Sequence, residues 1–473
     1  MQTIRNTGTR RLQGVLLAGT LVLAACSESG DDTAEPDPSV TEPADEPTPT
    51  TEAAEEPADE PTPTTEAAEE PADDAPVDDG SIVFQYAGQE WFLGTVPAAA
   101  TPADESLEPI RIGMINQEDT PLGSFPEVRA AAQAAANWVN AELGGVDGRP
   151  VEIVPCVTSF DPEMSQSCAL EMVQEGVVAM VGGVDVTSNG SYPVIEQNGL
   201  AVVGGIPANL VEQRSPNAFF FSGGGAGAAA AFMVDAADKG ADTVVLAYGE
   251  FESFEVAARD YAAAVGEDLG LNVELVPFSL FATDYLPILT KAQEVGAQGV
   301  VVLAADAACV PVMQTASDLG LEATIYLAGA CAAETIIDAA GEAAVGVVMN
   351  TEGPVDETTE GSIFDDVTAR YVDEPAGAAG TVGFRGFMNL YAMLLEIGGD
   401  NISSEAVLEH ARSTVDEPSF WGHPYTCDGN QVPGLPALCA PQQMLMGVVE
   451  PGGDLVSLSD WIPMDELFSA AVG

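Results

Sequence analysis

Short runs of β-branched and apolar residues alternate with longer helix-period segments from Ile110 to the end of the chain. Continuous apolar strands separated by helices are typical of parallel sheets covered by helices on both faces, which predicts an α/β fold. The predicted strands are Ile110–Ile115, Val151–Val154, Val177–Val181, Thr243–Tyr248, Val273–Val276, Gly299–Ala304, Thr324–Leu327 and Val345–Met349, with helices at Pro126–Leu143, Phe254–Leu269 and Tyr285–Val295. An alternating pattern of this length has more residues than one hydrophobic core typically serves, which favours two α/β lobes.

The carboxyl ends of parallel strands are where open α/β sheets bind ligands, so the loops after these strands are the candidate sites. The glycine-rich run Ser222–Gly227 lacks the pattern of a phosphate-binding loop. We interpret it as a flexible segment at the first crossover between the lobes.

The first 25 residues predict an export signal. Three arginines and no acid precede the apolar run Leu12–Ala25, which is too short to favour a membrane-spanning helix. The run ends in Leu23-Ala24-Ala25-Cys26, which resembles the lipobox of bacterial lipoproteins. That resemblance implies a lipid on Cys26; the alternative is an ordinary signal peptide followed by an incidental cysteine.

Residues 27–80 contain 20 acids and no lysine or arginine, and Glu42–Glu55 is repeated letter for letter by Glu56–Glu69. A segment this rich in proline, threonine and like charges predicts a disordered, extended tether, with a binding tail as the alternative. Residues 82–93 are apolar again. They predict a short strand that docks on the fold.

The formal charge is −62, from 75 acidic and 13 basic residues. A chain with two lysines and this excess of acid is a poor partner for nucleic acid or for anionic lipid headgroups. Only two histidines are present, His410 and His423, so no histidine-built metal site is expected, and neither a metal nor a cofactor is predicted. Since 55 of the acids follow residue 80, the folded part is itself acidic, which is suited to high salt.

Six cysteines remain after Cys26, an even number that suggests disulfides in an exported protein. Proximity suggests the pairs Cys156–Cys168, Cys309–Cys331 and Cys427–Cys439, although fifteen pairings are possible. The chain has no CxxC motif, so neither a zinc ribbon nor a thioredoxin-like redox site is supported.

Several segments carry a family resemblance: Ile110–Asn116 (IRIGMIN), Asn137–Ile153 (NWVNAELGGVDGRPVEI), Asp161-Pro162, Val177–Gly183 (VVAMVGG) and Gly199–Val203 (GLAVV). In this order they resemble the branched-chain amino acid-binding (leucine/isoleucine/valine-binding protein-like) family of ABC-transporter substrate-binding lipoproteins. The resemblance implies a two-lobed type I periplasmic-binding-protein fold, in which parallel sheets flanked by helices are joined by a three-stranded hinge.

The resemblance and the composition together predict the domain borders. Residues 1–25 are the signal peptide, and 26–107 are the lipidated cysteine and acidic tether. Lobe 1 comprises residues 108–223 and 351–417, and lobe 2 comprises 224–350 and 418–473.

In lobe 1 the resemblance implies two ligand loops. Thr187, Ser188 and Asn189 match the loop that holds a ligand carboxylate, although such residues before a helix also serve as caps. The second loop includes Ile206, Ala208 and Asn209, where amino-acid binders usually carry alanine and threonine at the first two positions. Gln117 and Glu118 follow the first strand and are further candidates.

In lobe 2 the family's aromatic lid falls on Phe251, Glu252 and Phe254, and one of the phenylalanines could equally be core. Ala330 stands where amino-acid binders carry a glutamate that pairs with the ligand ammonium. Asp306 could substitute for it from the neighbouring strand end, or it could be a solvated loop residue. These departures disfavour a plain leucine-type ligand.

The sequence therefore predicts a monomeric binding protein rather than an enzyme, lipid-anchored on the outer face of the bacterial cytoplasmic membrane. Its partners would be a small polar ligand (an amino acid, amide, urea or related compound) and the membrane subunits of an ABC permease. The alternative function is a sensory lipoprotein that signals to a membrane partner. An extracellular enzyme is disfavoured because the sequence shows no nucleophile–base pair.

Overall fold

The computed structural model describes residues 78–468, except 121–122, 374–375 and 465–466. The predicted lipidation site Cys26, the export signal and the repeats lie outside the described residues. Among the described residues, none of the helices is long and apolar enough to cross a membrane.

The chain enters the fold through a strap, residues 81–107, that lies on lobe 1. Helix α1 (Ile82–Gln85) begins at Ser81, whose hydroxyl accepts a hydrogen bond from Phe84 N, and a two-stranded hairpin follows. Its strands are β1 (Glu90–Trp91) and β2 (Gly94–Thr95). The tether predicted through residue 107 is corrected here, because the apolar side chains of this segment are buried in the lobe 1 core. Residues 82–93 dock on the fold as predicted, but as a helix followed by a hairpin and not as a single strand.

Lobe 1 is built on a five-stranded parallel sheet in the order β4-β3-β5-β6-β7. Its strands are β3 (Ile110–Gln117), β4 (Val151–Thr158), β5 (Ala179–Val181), β6 (Val202–Val203) and β7 (Ala218–Phe219). Between them lie α2 (Pro126–Glu142), α3 (Pro162–Glu175), α4 (Tyr192–Gln197) and α5 (Leu210–Gln213). Asp161 begins α3 by accepting hydrogen bonds from the backbone N–H groups of Glu163 and Met164.

Lobe 2 is built on a seven-stranded sheet in the order β14-β13-β12-β11-β10-β8-β9. Its first elements are α6 (Gly224–Asp238), β8 (Thr243–Gly249), α7 (Glu252–Val256), α8 (Ala263–Asp268), β9 (Asn272–Phe278) and α9 (Leu286–Val295). They are followed by β10 (Gly299–Leu303), α10 (Cys309–Asp318), β11 (Thr324–Leu327), α11 (Glu334–Ala340) and β12 (Val348–Thr351). A π-helical segment, Ala257–Ala262, joins α7 to α8.

The chain then returns to lobe 1 as α12 (Thr359–Tyr371), α13 (Gly377–Ile397) and α14 (Ser404–Ser413). It then enters lobe 2 again with β13 (Met444–Val448) and β14 (Leu455–Ser457). Strand β13 pairs antiparallel with β12, and β14 pairs antiparallel with β13. The two lobes are thus joined by three crossovers, at residues 220–224, 352–358 and 441–443. The border predicted at residue 417 is corrected, because Phe420, Tyr425 and Cys439 are buried in the lobe 1 core. Ser222–Gly227, predicted to be flexible, contains the start of α6 instead, and Ser222 is buried.

The three disulfides suggested by sequence proximity are confirmed: Cys156–Cys168, Cys309–Cys331 and Cys427–Cys439. The first joins the strand β4 to α3. The second joins the start of α10 to the turn after β11. Because Cα–Cα distances are 5.5, 5.4 and 4.6 Å, all three pairs lie within the range that a disulfide spans.

Candidate ligand-binding site

The loop after β5 is organised around the buried carboxylate of Asp185. That carboxylate accepts hydrogen bonds from the Ser165 hydroxyl at 2.6 Å and from the N–H and hydroxyl of Thr187 at 2.9 and 2.8 Å. The Thr187 hydroxyl proton is therefore used within the loop. Ser188 is fully buried, whereas Asn189 is exposed. Of the three candidates in this loop, Asn189 is the one whose side chain faces solvent.

The loop after β6 approaches its neighbours closely because it contains Gly204 and Gly205. Both have positive φ, and a Cβ on Gly204 would lie 2.5 Å from the Cα of Gly386 in α13. Ile206 is half-buried, and its N–H donates to the carbonyl of Gly183, which joins this loop to the first one. The backbone geometry therefore requires glycine here, independently of any ligand.

Asn209 also joins the two loops. Its Nδ2 donates to the carbonyl of Val186 at 3.2 Å, and its N–H donates to the Glu212 carboxylate at 2.7 Å at the start of α5. Asn209 therefore has a clear structural role, and its part in ligand binding stays a prediction.

Two carboxylates lie close together beneath these loops. Asp185 and Glu212 are both buried and line a small cavity of about 20 Å³ together with Tyr192. Burial and the nearby negative charge of Asp185 raise the pKa of the Glu212 carboxyl well above its usual value. Protonation of Glu212 would reduce the repulsion between the two groups.

Glu212→Gln should change the pH dependence of stability in one direction. With a raised folded-state pKa, the stability that Glu212 contributes is present below its unfolded value of about 4.3 and is lost as the pH rises through the folded pKa. The neutral amide has no such dependence. The melting temperature of the variant minus that of the wild type should therefore increase when measured from about pH 4 to pH 8.

Glu118→Gln is the matched control of opposite sign. Burial alone would raise the pKa of Glu118, but hydrogen bonds from Arg129 and Asn116 outweigh it and lower the pKa. Its contribution is present above the unfolded value and is lost as the pH falls through the folded pKa. Measured below about pH 4.3, the melting temperature of this variant minus that of the wild type should decrease as the pH rises. A change of the same sign for both variants, each in its own pH range, would refute the assignment.

At the end of β3 the candidates are turned inward. Gln117 is fully buried, with its Nε2 donating to the carbonyl of Gly123 at 2.9 Å. Glu118 forms a bidentate ion pair with Arg129, with N–O distances of 2.7 and 2.9 Å. The side-chain contacts of Gln117 and Glu118 thus stabilise the loop that follows β3, and a part of either residue in ligand binding stays a prediction.

From lobe 2, the segment after β8 contacts lobe 1 directly. The buried hydroxyl of Ser253 donates to the carbonyl of Ala208 at 2.8 Å, which joins α7 to the loop after β6. Phe251 is half-buried, with its ring edge-to-face against Phe254 at 5.8 Å, and Glu252 is exposed. Sequence reasoning selected the neighbours of Ser253 but missed Ser253, because a lone serine in a helical turn carries no signal.

Two further candidates lie at the ends of β10 and β11. Asp306 is half-buried and accepts a hydrogen bond from Ala307 N. Burial, followed by the negative charges of Asp306 and Glu118, raises the pKa of Glu127 in the first turn of α2. The negative charge of Asp306 in lobe 2 therefore acts on a carboxyl group of lobe 1. Ala330 is exposed in the turn Gly329–Ala332, against which α13 packs.

Loops at the carboxyl ends of both sheets thus meet between the two lobes. Comparison with known proteins shows which family has this fold. A family model described as periplasmic binding protein matches residues 109–434. The chain belongs to the periplasmic binding protein family. The resemblance seen in the sequence is confirmed at this level, and so is the two-lobed α/β fold.

Solved structures of other periplasmic binding proteins share the fold at low identity. The leucine-binding protein LivK from Thermotoga maritima is 19% identical with a TM-score of 0.62, over 76% of this chain and 99% of that one. A solute-binding protein from R. palustris, in complex with 4-hydroxybenzoate, is 18% identical with a TM-score of 0.62, over 75% and 96%. A fatty acid ABC transporter substrate-binding protein from Thermomonospora curvata is 16% identical with a TM-score of 0.65, over 79% and 97%.

No protein of curated function matches the chain in sequence. As a periplasmic binding protein, it belongs to a family of extracytoplasmic binding proteins that are not enzymes.

Proposed function

We propose that this periplasmic binding protein is lipid-anchored through Cys26, captures a small polar ligand between its lobes and delivers it to an ABC importer. The observation that carries the proposal is the contact of Ser253 in lobe 2 with Ala208 in lobe 1, which brings the ligand loops together. A cleft closed in this way removes water from the polar groups that hold a ligand. The ligand classes proposed are amino acids, amides, urea and related compounds.

The residues of the cleft favour a ligand whose positive group is bound differently from the ammonium group of leucine. Ala330 offers no carboxylate to a ligand ammonium, and a buried ammonium without a counter-charge costs several kcal/mol. Asp306 is the half-buried acid at the adjacent strand end. We assign it the role of pairing with a positive ligand group, with Asn189 and backbone N–H groups holding the polar end.

Thermal-shift screening of the full chain against amino acids, amides, urea and small organic acids tests this function. At a concentration 100 times its Kd, a ligand adds about 2.7 kcal/mol to the stability, so at least one class should raise the melting temperature. Asn189→Ala should diminish that shift without changing the melting temperature of the free protein. Asn272→Ala, at the amino end of β9, should leave the shift intact; no shift with any class would contradict the proposal.

The anchor is tested by detergent-phase partitioning of the exported protein. Each buried CH₂ of an acyl chain contributes about 0.8 kcal/mol, so a diacylated Cys26 should hold the wild type in the detergent phase. Cys26→Ser should move it to the aqueous phase, and equal partitioning of both proteins would rule out lipidation at this position.

A further inference from the structure

One carboxylate, that of Glu352, contacts all three crossovers between the lobes. It lies at the start of the second crossover and accepts hydrogen bonds from Ser222 in the first and from Gln443 Nε2 in the third, the latter at 3.4 Å. Ser222 and Gln443 are at most 1% exposed. The first and third crossovers therefore share one acceptor, which belongs to the second.

Lobe 1 contributes the positive charge that balances Glu352. Arg385 in α13 donates from Nη2 to the Glu352 carboxylate at 2.8 Å and from Nη1 to the Glu352 carbonyl at 2.6 Å. The two side chains are only 11% and 12% exposed. A pair this deeply buried is stable only while its hydrogen bonds are complete, and removing one partner leaves an uncompensated charge.

A relay of amides extends from this carboxylate to a ligand loop of lobe 2. Asn350 donates from Nδ2 to Gln443 Oε1 at 2.8 Å, and its Oδ1 accepts the N–H of Gly329 at 2.8 Å. Gly329 precedes Ala330, and a Cβ at Gly329 would lie 2.5 Å from the Asn350 carbonyl oxygen. Each amide donates on one side and accepts on the other, so the relay has one consistent direction.

We propose that Glu352 is a positioning residue that couples the lobe 2 ligand loop to all three crossovers, so that they bend as one hinge. Lobe closure requires small backbone changes in each crossover. With Ser222, Gln443 and Arg385 tied to one carboxylate, a change in one crossover displaces the acceptor of the others. A shift of Gly329 on ligand contact reaches the same carboxylate through Asn350 and Gln443.

Hydrogen exchange of the full chain without ligand tests the coupling. Glu352→Gln offers donors where Arg385 needs an acceptor. It should speed exchange in residues 220–224, 352–358, 441–443 and 328–331 together, by about tenfold, which corresponds to ~1.4 kcal/mol. Glu142→Gln, which alters a buried ion pair in lobe 1 away from the crossovers, is the matched control and should leave these four segments unchanged.

Ser222→Ala is the milder variant, because it removes a donor without leaving a buried charge. It should speed exchange in 441–443 as well as in 220–224. Acceleration confined to the mutated segment, or the same four-segment pattern in Glu142→Gln, would overturn the inference. The role of this coupling in ligand binding rests on the proposed function, but the coupling itself is measured without ligand. The exchange experiment can therefore refute the coupling even if a ligand is found. A ligand screen that finds nothing does not change the exchange result.

Discussion

Gly383→Ala should lower the free energy of unfolding by about 3 kcal/mol or more, the upper end for overpacked cores. Gly383 lies where α13 crosses α2, and an added Cβ would be 1.9 Å from the carbonyl oxygen of Val128. Backbone cannot yield as a flexible side chain does, so the two helices would have to move apart. The midpoint of urea denaturation measures the loss.

A second helical glycine provides the control for that substitution. Gly225 lies in α6, and the nearest atom to an added Cβ is the Ala257 Cβ at 3.5 Å, an ordinary contact. Gly225→Ala should therefore be neutral or stabilising by up to about 1 kcal/mol, the difference in helix propensity. A urea midpoint for Gly383→Ala that equals the wild-type value would show that α2 and α13 are not packed this closely.

Glu142→Ala should loosen the start of the strap, around Val83, and cost on the order of 3 kcal/mol, since it removes an acceptor shared by three donors. The buried Glu142 carboxylate accepts from Val83 N at 3.0 Å, from Trp138 Nε1 at 3.1 Å and from Arg370 Nη1 at 2.6 Å. Arg370 is 40% exposed and can regain water, which keeps the loss below that of a fully buried pair. Limited proteolysis should then cut within residues 81–107 before the rest of the fold.

Glu152→Ala is the control for the charge change. Glu152 pairs with Arg111 at 3.2 Å on the surface, with side chains 51% and 44% exposed. Exposed pairs contribute roughly 0–1 kcal/mol, so this variant should keep the strap protected and the stability nearly unchanged. Equal proteolysis of both variants would mean that Glu142 does not hold the strap.

The strands were predictable where burial on both faces leaves a continuous apolar run. Thr324–Leu327 has the same bounds in the structure, and β3 and β4 continue past their predicted ends because polar residues such as Gln117 and Thr158 are buried there. Strands β6 and β7 are two residues long, too short for a period, and β13 and β14 follow a long loop without a repeating pattern.

The site was predictable as a set of loops and not as a set of contacts. The hydroxyl and amide residues after β5 do lie in a loop, but their geometry depends on Asp185 and Glu212, two acids among 75. Ser253 and Glu352 act through partners 45 and 130 residues away in sequence. Such pairings arise from the tertiary fold, and a single sequence carries no signal for them.

The strap also determines where mechanical load enters the molecule. Its N–H groups donate to lobe 1 along its length, from Val83 to Glu142, from Ala103 to Asn140 and from Asp104 to Gly148. Tension applied to the chain before residue 78 is therefore transmitted to lobe 1, through α2 and α12. Because the strap is bound to lobe 1, lobe 2 can move relative to lobe 1 without working directly against that tension.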